Sequence, residues 1–189
     1  NSNDISTHSP STVYVTVLKY KFNDFTPYIY KSDDYGSSWN LITNGIDKNA
    51  YTRVVREDPI KKDLLYAGTE LGLYISFDAG LKWSPFQLNL PKTPILDLMI
   101  NQNDLLAATS GRAFWILDDL SPLQQLRPEI KNSSIHMYEP ADIIKTGAFF
   151  VDVPVIGAGK NPYPGASIYY YIKEVAENDS IPVTLELKD

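Results

Sequence analysis

Ser32-Asp33-Asp34-Tyr35-Gly36-Ser37-Ser38-Trp39 and Ser76-Phe77-Asp78-Ala79-Gly80-Leu81-Lys82-Trp83 both read S-x-D-x-G-x-x-W, and they start 44 residues apart. Each follows a strand-like run: Tyr28-Ile29-Tyr30 before the first copy, Leu73-Tyr74-Ile75 before the second. The eight residues carry hairpin chemistry. Ser and Asp side chains bond nearby backbone N–H groups, and Gly adopts positive φ without penalty. The Trp that closes each copy is then free to turn back and bury a large apolar area against a neighbouring sheet. An Asp occupied in fixing its own turn is a poor proton shuttle, so Ser32, Asp34, Gly36, Trp39 and Ser76, Asp78, Gly80, Trp83 read as scaffold rather than as catalytic acids. The repeat distance is that of one four-stranded propeller blade.

The similarity extends beyond the box. Leu65-Tyr66-Ala67-Gly68-Thr69-Glu70-Leu71-Gly72-Leu73-Tyr74-Ile75 aligns 41 residues on with Leu106-Ala107-Ala108-Thr109-Ser110-Gly111-Arg112-Ala113-Phe114-Trp115-Ile116. Leu117-Asp118-Asp119-Leu120-Ser121-Pro122 then stands where a box belongs, with Asp119 at the place of Asp78 and the Gly and Trp gone. Runs rich in Val, Ile, Thr and Tyr mark strands at 12–18, 52–56, 64–69, 95–100, 104–109 and 113–118. The expected class is all-β: a partial propeller of three blades, 11–44, 50–90 and 94–140, after a flexible segment at 1–10. Ser134–Tyr138 is expected to complete the third blade, and 121–131 to hold a helical turn. Three blades are fewer than the four to eight of closed propellers, so the chain is expected to be completed by further blades of a longer parent or by another chain. From 141 the period breaks. Ala166–Lys173 and Val183–Leu187 read as two strands after a Gly- and Pro-rich loop at 157–165, the expected opening of an immunoglobulin- or fibronectin-like sandwich, which at full size needs about 100 residues.

The paired boxes resemble the Asp-box, or BNR, repeat of sialidases, other glycoside hydrolases and sortilin-type propellers. The phrases Arg56-Glu57-Asp58-Pro59, Tyr66-Ala67-Gly68-Thr69-Glu70-Leu71-Gly72-Leu73-Tyr74, Thr109 to Leu123 and Gly159 to Tyr170 are similar to the closing blades of large bacterial BNR-repeat proteins of the glycosyl-hydrolase and sortilin-like group. That resemblance implies a secreted or cell-surface location, as in a bacterial envelope, and a glycan or protein ligand at the propeller face. A glycoside hydrolase with carboxylates shared with other blades, and a sortilin-like peptide receptor, are the alternatives it carries. Sortilin-type receptors rely on cysteine-rich modules, whereas this chain has no cysteine. The sialidase branch implies an arginine triad beginning in Arg-Ile-Pro, and none of Arg53, Arg56, Arg112 and Arg127 lies in that motif.

Net charge is −6, which argues against nucleic-acid binding. Without cysteine, disulfides, thiolate metal sites and cysteine nucleophiles are excluded in this segment. His8 and His136 show no metal-ligand spacing. Gly68-x-x-x-Gly72 lacks the Lys-Ser/Thr of a phosphate loop. No cofactor or metal is expected.

Propeller glycosidases place two carboxylates roughly 5–10 Å apart, and the candidates for such a role are Glu70, Asp97, Asp118 and Asp119. Each also has a structural reading. Glu70 can cap its Gly-bounded turn, Asp97 alternates with Leu96 and Leu98 and so faces solvent, and Asp118-Asp119 can fix the turn that replaces the box. Arg112, beside Gly111, is a candidate ligand donor or a tie to strand-end carbonyls. Tyr28, Tyr30 and Tyr51 can stack on sugars or pack between blades.

Overall fold

A computed structural model describes residues 2–142, 165–173 and 184–186. β1 (Ser2–Ile5), β2 (Val13–Thr16), β3 (Ile29–Ser32) and β4 (Asn40–Leu41) form an antiparallel sheet in chain order. β5 (Thr52–Glu57), β6 (Leu65–Thr69), β7 (Gly72–Ser76) and β8 (Ser84–Pro85) form a second sheet with the same meander. β9 (Ile95–Asn101), β10 (Asp104–Thr109) and β11 (Phe114–Leu117) form a third, three-stranded among the described residues. β1 and β2 lie against β5, and β5 and β6 against β9. The first strand of each sheet is therefore innermost and the later strands fan outward, the arrangement of consecutive propeller blades.

Alternation along the strands sends opposite faces of each sheet to opposite neighbours. Tyr14, Ile29, Ile42 and Ile46 of the first repeat meet Val55, Leu65, Ala67, Tyr74 and Trp83 of the second in one buried core. The other face of the second sheet, with Val54, Tyr66, Leu73 and Ile75, meets Ile95, Leu98, Leu105 and Ala107 of the third. A sheet buried on both faces reads as a continuous apolar run, and β6 and β7 are buried at every residue.

Several expectations are corrected. Residues 2–5 are not a flexible lead-in: Ser2 to Ile5 pair with Thr16 to Val13 as the innermost strand of the first sheet. Its polarity hid it, because only one of the four residues is apolar. The 41-residue offset between the second and third repeats holds for β7 and β11 only. Thr69 pairs with Gly72 around a two-residue turn, whereas Thr109 bonds Ala113 around a three-residue one. The extra residue shifts β10 to an offset of 40, so Tyr66 corresponds to Leu106; a one-residue slip would have turned every side chain to the wrong face. β12 (Ile135–Met137) does not complete the third sheet but pairs with β13 (Tyr170–Ile172). These strands belong to a second compact unit, Gln125–Asp189, distinct from Asn1–Gln124, so the division falls earlier than residue 140. The helical stretch expected at 121–131 is present, as two short helices, α1 (Ser121–Gln125) and α2 (Pro128–Asn132). Of the strand expected at 183–187 residues 184–186 are described, and they form no strand; 183 and 187 and the loop at 157–164 lie outside the described residues.

Candidate functional site

The two boxes close the β3–β4 and β7–β8 hairpins with the same bonds. The Ser32 hydroxyl donates to Asp34 Oδ1 and accepts from the Gly36 N–H at 2.8 Å. Asp34 accepts from the Ser38 N–H at 2.8 Å and the Ser38 hydroxyl at 2.6 Å. In the second copy Ser76 donates to Asp78 at 2.7 Å and accepts from Gly80, and Asp78 accepts from the Lys82 N–H at 2.9 Å. The Ser38 hydroxyl and amide, with Ser32, hold the Asp34 carboxyl down at about 2, since donors to the charged form favour it. A carboxylate held this way is a turn fastener, and it sits on the same end of the sheets as the β1–β2 and β5–β6 connections: Tyr35 N–H bonds Ser11 O, and Ala79 N–H bonds Asp63 O.

The opposite end carries different chemistry. There the long β2–β3 loop, 17–28, leans over the start of β5. Thr52 Oγ1 donates to Tyr28 O at 2.8 Å and accepts from the Tyr28 N–H, stitching the loop to the second sheet. Tyr20 stacks on Tyr51 with ring centroids 5.4 Å apart and planes 18° apart, and Phe25 tilts against the same ring at 6.1 Å. Arg53 lies over Tyr51 at 5.2 Å and gives two hydrogen bonds to Glu70 Oε2, at 2.9 and 2.7 Å. Its Nη2 also donates to the Tyr51 hydroxyl at 3.0 Å. Burial opposes the Arg53 charge, but the Glu70 carboxylate outweighs it and raises the guanidinium pKa. Burial, and then the hydrogen bond with Glu70, raise the Tyr51 phenol.

The loop is ordered by its own residues. Asn23 takes the left-handed conformation that ends a single 3-10 turn, Tyr20–Phe22. Asp24 accepts from the Thr26 N–H and, at 2.8 Å, from the Tyr28 hydroxyl, and Lys19 lies 4.5 Å from the Tyr28 ring centroid. Tyr20, Phe25 and Leu71 stay between about two-fifths and half exposed, and Phe22 is 84% exposed. The result is a fixed platform of aromatic faces around an Arg–Glu pair, open to solvent. Preorganised aromatic surface lowers the ordering cost of binding.

Of the carboxylates singled out from sequence, only Glu70 belongs to this platform. Asp97 pairs with Arg56 at 2.9 Å and is mostly exposed. Arg56 also reaches Leu98 O and Ser2 Oγ, so this guanidinium ties the innermost strands β1, β5 and β9 together. Asp119 accepts from Asn103 Nδ2 and the Ser121 N–H, which makes it the fastener of the box-less turn. Partial burial, and then the Asp104 carboxylate, raise Asp118. Among the described residues the four share no hydrogen-bond or ion-pair partner. Arg112 is exposed at the tip of the β10–β11 turn, where its carbonyl accepts from Trp115 Nε1. Among the described residues no group of three or more His, Asp or Glu could hold a metal ion. A cleft between Leu73, Phe86, Leu105 and Trp115 encloses about 50 Å³, room for a water or two and too little for a sugar ring. No repeat or motif in the sequence marks Tyr20, Phe25 or the pairing of Arg53. The available signal was the run Lys19-Tyr20-Lys21-Phe22 followed by Phe25, too aromatic for an ordinary connection.

No protein-family model matches the chain, and no curated protein matches it. Solved structures do resemble it. A GH74 enzyme from Niastella koreensis superposes with a TM-score of 0.50 at 17% identity, over 62% of this chain and 21% of that one. The GH74 xyloglucanase from Xanthomonas campestris gives 0.47 at 11% identity over 74% and 24%. YCF48 bound to D1 peptide gives 0.45 at 16% identity over 62% and 36%. The fold is that of a partial β-propeller. The chain spans about a fifth of the length of the Niastella enzyme it matches.

Proposed function

We propose that this chain is a ligand-binding part of a β-propeller and that its loop end, built on Tyr20, Phe25, Tyr51, Arg53 and Glu70, holds a carbohydrate chain. The aromatic platform carries this reading. Flat rings offered to solvent beside a charged hydrogen-bonding pair suit a sugar, which presents apolar C–H faces and equatorial hydroxyls. Phe22 and Phe25 are large apolar side chains left exposed at this end. Arg53 supplies planar donors and Glu70 acceptors, and each fixes the other's geometry. The reading is one of binding, because both carboxylates of this end are already engaged: Glu70 by Arg53, and Asp24 by the Thr26 N–H and the Tyr28 hydroxyl.

The reading is tested by titrating the chain with a neutral β-linked glucan hexasaccharide and following tyrosine fluorescence and calorimetric heat. Saturable binding is expected, with Tyr20→Ala and Phe25→Ala each weakening it by about 10-fold, the loss of one stacking ring at ~1–1.5 kcal/mol. Glu70→Gln should weaken it less. No binding to this or to other neutral oligosaccharides, with saturable binding to an extended peptide, would replace the carbohydrate by a protein ligand.

A further inference from the structure

The two boxes differ in what their tryptophans find. Trp83 is 2% exposed and its Nε1 donates to Ile42 O of the first repeat at 2.7 Å. Its N–H bonds Asn44 O, and Gly45, at φ +98°, lets the connection pass so close that a Cβ there would strike the Trp83 carbonyl. The connector Ile42-x-Asn44-Gly45 is thus a receptor for the box of the next sheet. Trp39 occupies the same place in the first sheet, yet it is 44% exposed and, among the described residues, its indole N–H bonds its own Gly36 carbonyl at 3.1 Å.

The mismatch extends across the whole flank. Pairing registers set Val13, Val15, Tyr30 and Trp39 at the positions of Leu65, Ala67, Tyr74 and Trp83. The latter four are buried against the first sheet; the former four are not buried. The glycines repeat the contrast. A Cβ at Gly80 would lie 2.5 Å from Ile42 Cδ1, whereas one at Gly36 would meet only Trp39 of its own turn, at 3.6 Å. Thr16 adds the polar counterpart: from the first sheet it donates to Arg53 O on β5 at 2.9 Å.

We infer that the open flank of the first sheet is an interaction surface for one more four-stranded antiparallel sheet, presented by chain preceding β1, whose outgoing connector carries a hydrophobic-x-Asn-Gly sequence. Its carbonyls would accept Trp39 Nε1–H and N–H, as those of Ile42 and Asn44 accept the two N–H groups of Trp83. The inference continues an interface already present once in this chain, and it is independent of the carbohydrate reading.

The register also supplies the probe. Ser2 pairs with Thr16 and Val54 with Gly68, so Ser2 holds in the first sheet the place of Val54 in the second. Residues 1–52 placed directly ahead of Asn1 of the full chain would then offer a second Ile42-x-Asn44-Gly45 connector to the original Trp39. With 5-fluorotryptophan and ¹⁹F NMR, each tryptophan is assigned by a Trp→Phe variant and its exposure read from the H₂O/D₂O shift. The original Trp39 is expected to fall to the exposure of Trp83 in the extended chain, and Trp39→Ala there should lower Tm about as much as Trp83→Ala. The inference is overturned if the added sheet folds with Trp39 still exposed, or if the added residues stay unfolded on a flank that should template them. It is also overturned if the unextended chain self-associates and shields Trp39, which would assign the flank to a second copy.

Discussion

Trp83→Ala and Trp39→Ala remove the same side chain from the same turn, so their difference isolates what the neighbouring sheet contributes. Trp83 is 2% exposed, belongs to the core between the first two sheets, and bonds Ile42 O. Truncation at such a site costs about 3–5 kcal/mol, including roughly 1 kcal/mol for the carbonyl left without its donor. Trp39 is 44% exposed and its indole N–H closes its own turn. Truncation there removes about half as much buried surface and leaves no carbonyl of another sheet unpaired, a cost of about 1–2 kcal/mol. With a urea m-value of about 2 kcal/mol/M, the midpoint should fall by roughly 2 M for Trp83→Ala and by under about 1 M for Trp39→Ala. Far-UV circular dichroism is the proper readout, because both variants delete a fluorophore. Equal losses would refute the reasoning: the box tryptophan would then act within its own hairpin and not between sheets.

Three further outcomes follow from the same geometry. Gly80→Ala should destabilise clearly more than Gly36→Ala, since both pay left-handed strain of about 1–2 kcal/mol but only Gly80 also drives a methyl into Ile42; thermal unfolding of the pair checks it. Asp34, held at about 2 in the folded chain, contributes stability that is fully present above the unfolded value of about 3.9 and is lost as pH falls through the folded one. The urea midpoint of the wild type should therefore drop more steeply between about pH 4 and pH 2 than that of Asp34→Asn, and parallel curves would contradict the turn assignment. Arg56→Ala should cost about 1–3 kcal/mol and loosen β1, read as faster proteolytic cleavage near residue 10, with Arg56→Lys restoring little because one ammonium cannot bridge Leu98, Ser2 and Asp97 together.

The scaffold was legible because its chemistry is local. Ser32 to Trp39 and Ser76 to Trp83 fasten themselves, so eight residues suffice to read the turn, and the strands before them follow from β-branched and aromatic runs. β1 was not legible: Ser2-Asn3-Asp4-Ile5 has no strand propensity and is held by pairing with β2 and by Arg56 and Glu57, contacts made across more than 50 residues. The face assignment of β10 hung on one extra residue in the Thr109–Ala113 turn, which a repeat alignment cannot place. The aromatic platform lay between these cases. Its residues come from a loop at 17–28, a strand start at 51–53 and a turn at 70, and nothing in the sequence joins them. The carboxylates looked attractive because acids are what hydrolysis needs, yet Asp97 and Asp119 are structural ties, and Glu70 matters through Arg53.

The loop-end assignment is tested most directly by amide chemical-shift mapping of the isotope-labelled chain during titration with the glucan hexasaccharide. The account predicts shifts confined to residues 19–28, 51–53 and 70–71, with the box turns at 32–39 and 76–83 unmoved. Shifts centred on the box turns or on the β10–β11 turn around Arg112 would place the ligand elsewhere and contradict it.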